Sequence, residues 1–408
     1  MRVSAGKMAL VGLVWASVLG CTSAARAPAA PSKEEAYARR LEQRLAAAPG
    51  DAGIRYCLCA AYDDAGKVNE AIACLEVLDQ RGWPVAMLAK DFHKSPQRPE
   101  FEGLVRRSDE HARRLHRSQL AFTAPAELVP ENVAYDPKSG SFFLGSVPLR
   151  KIVRVSGGHV RDFARDPIEP PGLSVVGMKV DPVRRTLWAA TEESHGAEAG
   201  RSELLLFDVD TGELLRRFDP RDGRPHLFND VVIGANEDVF MTDSSGGGVY
   251  RISGRRALEP FVPAGTLEYP NGIALSADEK RLFVAYDIGI VVVDIATGAL
   301  TELRNDSGDS IAGIDGLYFH RGTLVAIQNG IGRGRVVRLT LDSTGQRVTH
   351  VEVLESDHPD FHRAPGSVPT TGVLVGDQLQ YIANYQSHST HNKRALEDVR
   401  ILTLDLPH

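Results

Sequence analysis

One pattern limits the fold of this 408-residue chain more than any other feature: a similar unit recurs six times between about residue 125 and residue 407. The units open with Glu131-Asn132-Val133-Ala134, Val176-Gly177-Met178-Lys179, Asn229-Asp230-Val231-Val232, Asn271-Gly272-Ile273-Ala274, Asp315-Gly316-Leu317-Tyr318 and Thr371-Gly372-Val373-Leu374. Steps of 45, 53, 42, 44 and 56 residues separate their first positions. Within a unit, a first strand leads through a turn such as Asp136-Pro137-Lys138-Ser139-Gly140 to a second strand ending in small or polar residues. An apolar third strand follows, and turns such as Asp208-Val209-Asp210-Thr211-Gly212 and Asp294-Ile295-Ala296-Thr297-Gly298 lead to a fourth. Four short strands repeated at this period predict an all-β six-bladed β-propeller spanning residues 125–407.

The sequence ahead of the repeats differs in kind. Residues 34–118 are rich in Ala, Leu, Glu and Arg and read as helical, broken at Pro49-Gly50-Asp51. The stretch from Ala52 through Gly66 to Glu76 resembles a tetratricopeptide repeat, in which small residues such as Ala60 and Ala71 let two helices approach while Leu58, Tyr62, Ile72 and Leu75 bury the shared face. One such repeat cannot bury its own faces, so this small α-helical region is expected to lean on flanking helices, on the propeller or on a partner protein. Residues 22–33 are Ala/Pro-rich and read as a tether. Residues 1–21 carry Arg2, Lys7 and a 12-residue apolar run, Met8 to Leu19, too short to span a bilayer as a mature helix. Val18-Leu19-Gly20-Cys21 resembles a bacterial lipobox. That resemblance implies cleavage before Cys21, lipid attachment to its thiol, and a cell-envelope lipoprotein facing the periplasm, with Thr22-Ser23 favouring the outer membrane. The membrane would then be met through the lipid anchor alone.

Net charge is −6, so no basic surplus exists to neutralise phosphates, and nucleic acid is not an expected partner. The propeller has no cysteine and must be held by core packing. Cys57 and Cys59 lie two apart on a helix and cannot bridge each other, which leaves one disulfide with Cys74, or buried free thiols.

In a propeller the first residues of the innermost strands crowd one mouth of a central channel. Glu131, Asn229, Asp230, Asn271 and Asp315 therefore converge from distant parts of the sequence. All are oxygen donors, the set a hard divalent cation such as Ca2+ prefers, and inward carboxylates repel one another without one. Second-strand ends add Thr191, Asp243, Gln328, Asn329 and Asn384 as polar groups that suit a hydroxylated ligand.

Pro130-Glu131, Asn229-Asp230, Pro270-Asn271-Gly272-Ile273 and Asp315-Gly316 resemble the senescence marker protein, gluconolactonase and luciferin-regenerating-enzyme family, with paraoxonases sharing the layout. The resemblance covers about 280 residues. It implies that Glu131, Asn271 and Asp315 bind the metal, that Asn229 faces substrate, and that the chemistry is hydrolysis of a lactone, ester or sugar-acid-like compound. Water-activating candidates are Asp315, Asp230 and His226, with Gln328, Asn329 and Asn384 as further substrate contacts. The chain departs from the family's pattern at Asn132-Val133, where Gly-Pro is usual, and at Val176-Gly177, where the paraoxonase type carries histidine. The competing expectation is a non-catalytic propeller stiffened by calcium that presents a ligand- or protein-binding surface. His358/His362 and His388/His391 are poor zinc pairs, and no Gly-x-Ser-x-Gly elbow is present.

Overall fold

The structure is a computed structural model. It describes residues 32–164, 173–193, 199–254, 256–386 and 395–407. Cys21, the apolar run and most of the tether lie outside the described residues, as do parts of the 192–202 and 387–392 loops.

Six sheets stand around one axle. Blades one to four each take four consecutive antiparallel strands, spanning Pro130–Asp162, Ser174–Phe218, Phe228–Val262 and Ile273–Glu302. Blade five spans Ile314–Ser356 and gains a short parallel edge strand, Arg304–Asn305. Blade six is assembled from both ends: Gly372–Val375, Gln378–Ile382 and Val399–Asp405 supply the inner three strands, and Gln119–Ala124 supplies the outermost. The propeller thus begins upstream of the expected boundary at 125. Gln119–Ala124 sits alone between helical sequence and two prolines, and its pairing partner lies at the opposite end of the chain.

Each interface between neighbouring blades is one apolar layer. Phe143, Met178 and Phe207 lie between blades one and two, and Trp188, Phe228 and Met241 between two and three. Phe283, Leu317 and Val337 lie between four and five, Tyr318, Tyr381 and Leu402 between five and six, and Val133, Leu144 and Ile401 between six and one. Alternation along each strand sends successive side chains into the two flanking layers, so every blade is apolar on both faces.

The sixth layer, between blades three and four, continues out of the propeller. Phe240, Leu282 and Val284 form one cluster with Leu41, Leu45, Leu75, Leu78 and Phe101 of the helical region. That region comprises α1 (Lys33–Ala47), α2 (Ala52–Asp64), α3 (Val68–Gln80) and α4 (Pro99–His111). Ser32 and Glu35 form a capping box at the start of α1, and Asp51 caps α2 by accepting from Ile54 N–H. Cys59 and Cys74 form a disulfide joining α2 to α3, while Cys57 stays a free thiol. The helices rest on loops that lead into the inner strands of blades four and five, and on the turns between those blades' second and third strands. Asn305 donates to Asp51, Tyr37 to Asp287, and Arg40 and Arg44 pair with Glu268 and Glu302. A Cβ on Gly53 would lie 1.9 Å from Ser310 Oγ, so the contact is close at the backbone level. By connectivity these loops border the face on which the inner strands begin. The helical region is therefore a cap fused to the mouth side of blades four and five.

Candidate metal centre

Inner strands meet at the axle only where their backbones can approach. A Cβ on Gly272 would lie 2.5 Å from Asp315 O, and one on Gly177 would lie 1.9 Å from Asn229 O. These glycines follow or face donor residues for reasons of proximity rather than turn geometry. Asn132 ties three blades together there: it donates to Thr371 Oγ1 (3.0 Å) and accepts from Met178 N–H (3.1 Å). Thr371 Oγ1 in turn donates to the Glu131 carbonyl at 2.7 Å. The asparagine that departs from the family's pattern thus fixes the backbone carrying Glu131.

The structure brings Glu131, Asn271 and Asp315 to one place. Asp315 Oδ2 accepts from Thr370 Oγ1 (2.7 Å) and Asn329 Nδ2 (2.5 Å), and the Asn271 amide also donates to this carboxylate. Burial nonetheless holds Asp315 above the ordinary carboxylate range. Glu131 is pushed up to about 8, by burial first, then by the charges of Asp315 and Glu192. Tyr385 donates weakly to Glu131 Oε2 at 3.4 Å. Asp230 is pushed up to about 6 by burial, against the opposing charge of Lys179, and its oxygens accept from Val231 and Ile273 N–H.

One atom is out of place in a protein-only account. Asn271 Oδ1 is buried and has no hydrogen-bond partner. Rotating the amide would not help, because the oxygen would then face the Asp315 carboxylate. A buried acceptor without a donor costs about 1–3 kcal/mol, and a cation is the partner that satisfies an oxygen surrounded by other oxygens. Glu131, Asn271 and Asp315 therefore fit a hard divalent ion, with remaining positions open to water or ligand. Glu192 lies within electrostatic reach of Glu131. Glu131, Glu192 and Asp315 do not bring three oxygens within 4.8 Å of one another. Among the described residues the group of His, Cys, Asp and Glu side chains that does so is Asp63, Asp64 and His93 on the helical cap. There Asp63 is consumed by the N–H groups of His93, Lys94 and Ser95.

Two of the three central donors are launched from the same backbone device. Val129 (φ 38°) precedes Pro130-Glu131, and Tyr269 (φ 50°) precedes Pro270-Asn271. Left-handed backbone is uncommon for residues with side chains, and a following proline narrows the choice further. Such strain costs of order 1–3 kcal/mol per site and persists where surrounding structure enforces it.

Other expected site residues are engaged elsewhere. His226 has both ring nitrogens bonded, Nδ1 to Asp243 (2.6 Å) and Nε2 to Asp222 (2.8 Å). Burial opposes its protonation, yet the two carboxylates raise its pKa above the ordinary histidine value. It clamps the loop before blade three and has no nitrogen left to take a proton from water. Gln328 donates to the Ser310 and Ala312 carbonyls and accepts from Arg335. Asn384 donates to Asp398 O and accepts from Arg400 N–H. Both are framework groups, because their amides are spent on loop carbonyls and on Arg335 and Arg400 of neighbouring strands. Asn229 donates to Ser244 Oγ at 3.1 Å beside the mouth, and Asn329 touches the site through Asp315. Sequence reasoning missed Glu192, Tyr269, Thr370, Tyr385 and Lys179. Thr370 is one residue before the blade-six opening, where extending the register by one position would have found it.

At the far end of the inner strands, the turns carry latches between blades. Arg185 of blade two makes a bidentate pair with Asp136 of blade one at 2.7 and 2.9 Å. Arg184 reaches Glu237 (2.6 Å), Glu279 accepts from Ala235 N–H, and Arg281 donates to Thr344 O. Arg321 and His320 both bind Asp377 of blade six.

No protein-family model and no curated protein matches this chain. Among solved structures, the chain is similar to a Thermus thermophilus protein named as a putative oxidoreductase (glucose dehydrogenase). Identity is 18%, the match covers 71% of this chain and 99% of the other, and the TM-score is 0.51. Regucalcin, a calcium-binding protein from Agrobacterium tumefaciens, matches at 17% identity over 70% and 94% of the two chains, with a TM-score of 0.49. A gluconolactonase from Xanthomonas campestris matches at 17% identity over 72% and 96%, with a TM-score of 0.46. What this chain shares with such proteins is the propeller fold.

Proposed function

We propose that this protein is a divalent-cation-dependent hydrolase, with calcium the expected ion, acting on a lactone or ester at the channel mouth. The observation that carries the reading is the partnerless, buried Asn271 Oδ1 beside Asp315 and Glu131. These three side chains would hold the ion. A cation bound there supplies Lewis-acid polarisation of a carbonyl oxygen. Asp230 is the group assigned to accept a proton from water. Its pKa of about 6 leaves it charged at neutral pH, and two backbone N–H groups hold it in place near Asp315. Lys179 keeps it ionised despite burial. Asn229 faces substrate in this reading. Asn329 and Thr370 orient the Asp315 carboxylate.

The test is a panel of lactones and esters assayed with calcium and with chelator. Turnover should require the ion. Asp230→Asn should lower kcat by about 100-fold or more while the calcium-induced rise in Tm persists. A protein that binds calcium tightly and turns over nothing on the panel supports the binding-module reading in place of catalysis. Tethering through Cys21 to the outer membrane, facing the periplasm, is part of the proposal. Cys21→Ser should move the protein into the soluble fraction, and unchanged membrane association would refute the anchor.

A further inference from the structure

Val129 and Tyr269 adopt the same unusual backbone ahead of Pro130-Glu131 and Pro270-Asn271, but packing accounts for only one of them. Val129 is 1% exposed, its side chain enclosed by the fold. Tyr269 is 56% exposed. Its phenol makes no hydrogen bond and its ring no stacking contact among the described residues. Glycine would adopt this conformation without strain and would forfeit little burial.

The chain on both sides of Tyr269 is firmly held. Leu267 N–H bonds Gly247 O (3.0 Å), and Asp287 N–H bonds Glu268 O (2.9 Å). Ser244 Oγ donates to Pro270 O at 2.6 Å, and Asn271 N–H bonds Ala285 O at 2.8 Å. Arg40 of the helical cap pairs with Glu268. The backbone is therefore fixed, and only the aromatic side chain lacks a structural explanation. That side chain lies within electrostatic reach of Glu131, Asp315 and Glu192, which places it at the rim of the proposed centre.

We propose that Tyr269 is the aromatic wall of the substrate site, its ring face covering the apolar face of a neutral cyclic ester whose carbonyl lies over Glu131, Asn271 and Asp315. An exposed ring gains by covering such a surface, while the surrounding carboxylates disfavour an anionic ligand. This inference rests on the proposed hydrolase reading for the identity of the ligand.

The experiment combines δ-valerolactone hydrolysis, δ-valerolactam binding by calorimetry, and Tm with and without calcium. Tyr269→Ala should raise KM for the lactone by about tenfold or more, leave kcat within about threefold, and keep the calcium shift in Tm. Tyr269→Phe, which retains the ring face, should restore KM to within about threefold. Tyr269→Gly should raise Tm while carrying the same KM penalty, a combination that a merely structural tyrosine would not give. An unchanged KM in Tyr269→Ala overturns the proposal, as does a fall in Tm with loss of the calcium shift in Tyr269→Gly. If the wild type turns over nothing on the lactone and ester panel, the hydrolase reading fails and the lactam decides: about tenfold weaker binding by Tyr269→Ala supports the wall, and equal or absent binding overturns it.

Discussion

The two ends of the propeller's inner strands carry the same residue types in opposite circumstances. At the turn side, Asp136 is fully buried, and burial alone would raise its pKa. Arg185 and Ser139 instead hold it well below the usual carboxylate range. At the mouth, Glu131, Asp230 and Asp315 are also enclosed and all three are raised; Asp230 feels the charge of Lys179, while the neighbours of Glu131 and Asp315 are amides, hydroxyls and other acids. Asp136, Glu237 and Asp377 each have a counter-charge on a neighbouring blade. Neither Glu131 nor Asp315 has a cationic neighbour among the described residues, and the proposed ion would supply that charge. Carboxylates that latch blades and carboxylates proposed to hold an ion are thus distinguished by what surrounds them, not by residue type.

This comparison breaks most visibly by neutralising one acid at each end. Asp136→Asn leaves the Arg185 guanidinium with the exposed Asp210 as its remaining carboxylate partner and should destabilise the fold by about 1–3 kcal/mol, with turnover per folded molecule unchanged. Denaturant unfolding of the variant measures it. Glu131→Gln should do the reverse in chelator at about pH 8: Tm should rise by about 2 °C or more, while the calcium shift disappears. If Glu131→Gln also destabilises the metal-free protein, the mouth is an ordinary polar network and the contrast is lost.

The pH dependence sharpens the same point. Glu131 binds its proton more tightly in the folded, metal-free protein than in the unfolded chain, whose value is 4.5. Between that value and about 8 the folded state holds more protons, so metal-free stability falls as pH rises through this window. Calcium requires the ionised form. The calcium-induced rise in Tm should therefore grow from about pH 5 to about pH 8, and binding near neutral pH should release protons, seen by calorimetry in buffers of different ionisation enthalpy. The smallest effect belongs to an exposed latch. Arg321→Ala removes a pair in which both partners are about half exposed and should cost less than about 1 kcal/mol.

Much of this was legible in the sequence because a propeller converts a linear register into a position on the axle. Once the six openings were aligned, Glu131, Asn271 and Asp315 had to meet. The closing strand was hidden because Gln119–Ala124 has no blade of its own in sequence. Whether a polar side chain is available was hidden too. His226, Gln328 and Asn384 look like mouth groups until Asp243, Arg335 and Arg400, carried by neighbouring strands, consume them. Glu192 was missed because the second strand of blade two runs on past Thr191 to Glu193 and pairs Glu192 with Ser174. The strain at Tyr269 has no letter in the alphabet, since a left-handed residue reads like any other.

The outermost strand of blade six pairs Ala124 with Val399 and Gln119 with Thr403. During synthesis the ring stays open until residues 399–403 have left the ribosome, and the early strand waits without its neighbour through the making of five blades. Contacts this distant in sequence form slowly. A polypeptide ending before residue 399 would present two raw sheet edges to other chains, an invitation to aggregate. Faithful translation through Val399–Asp405 is thus tied to the solubility of everything made before it.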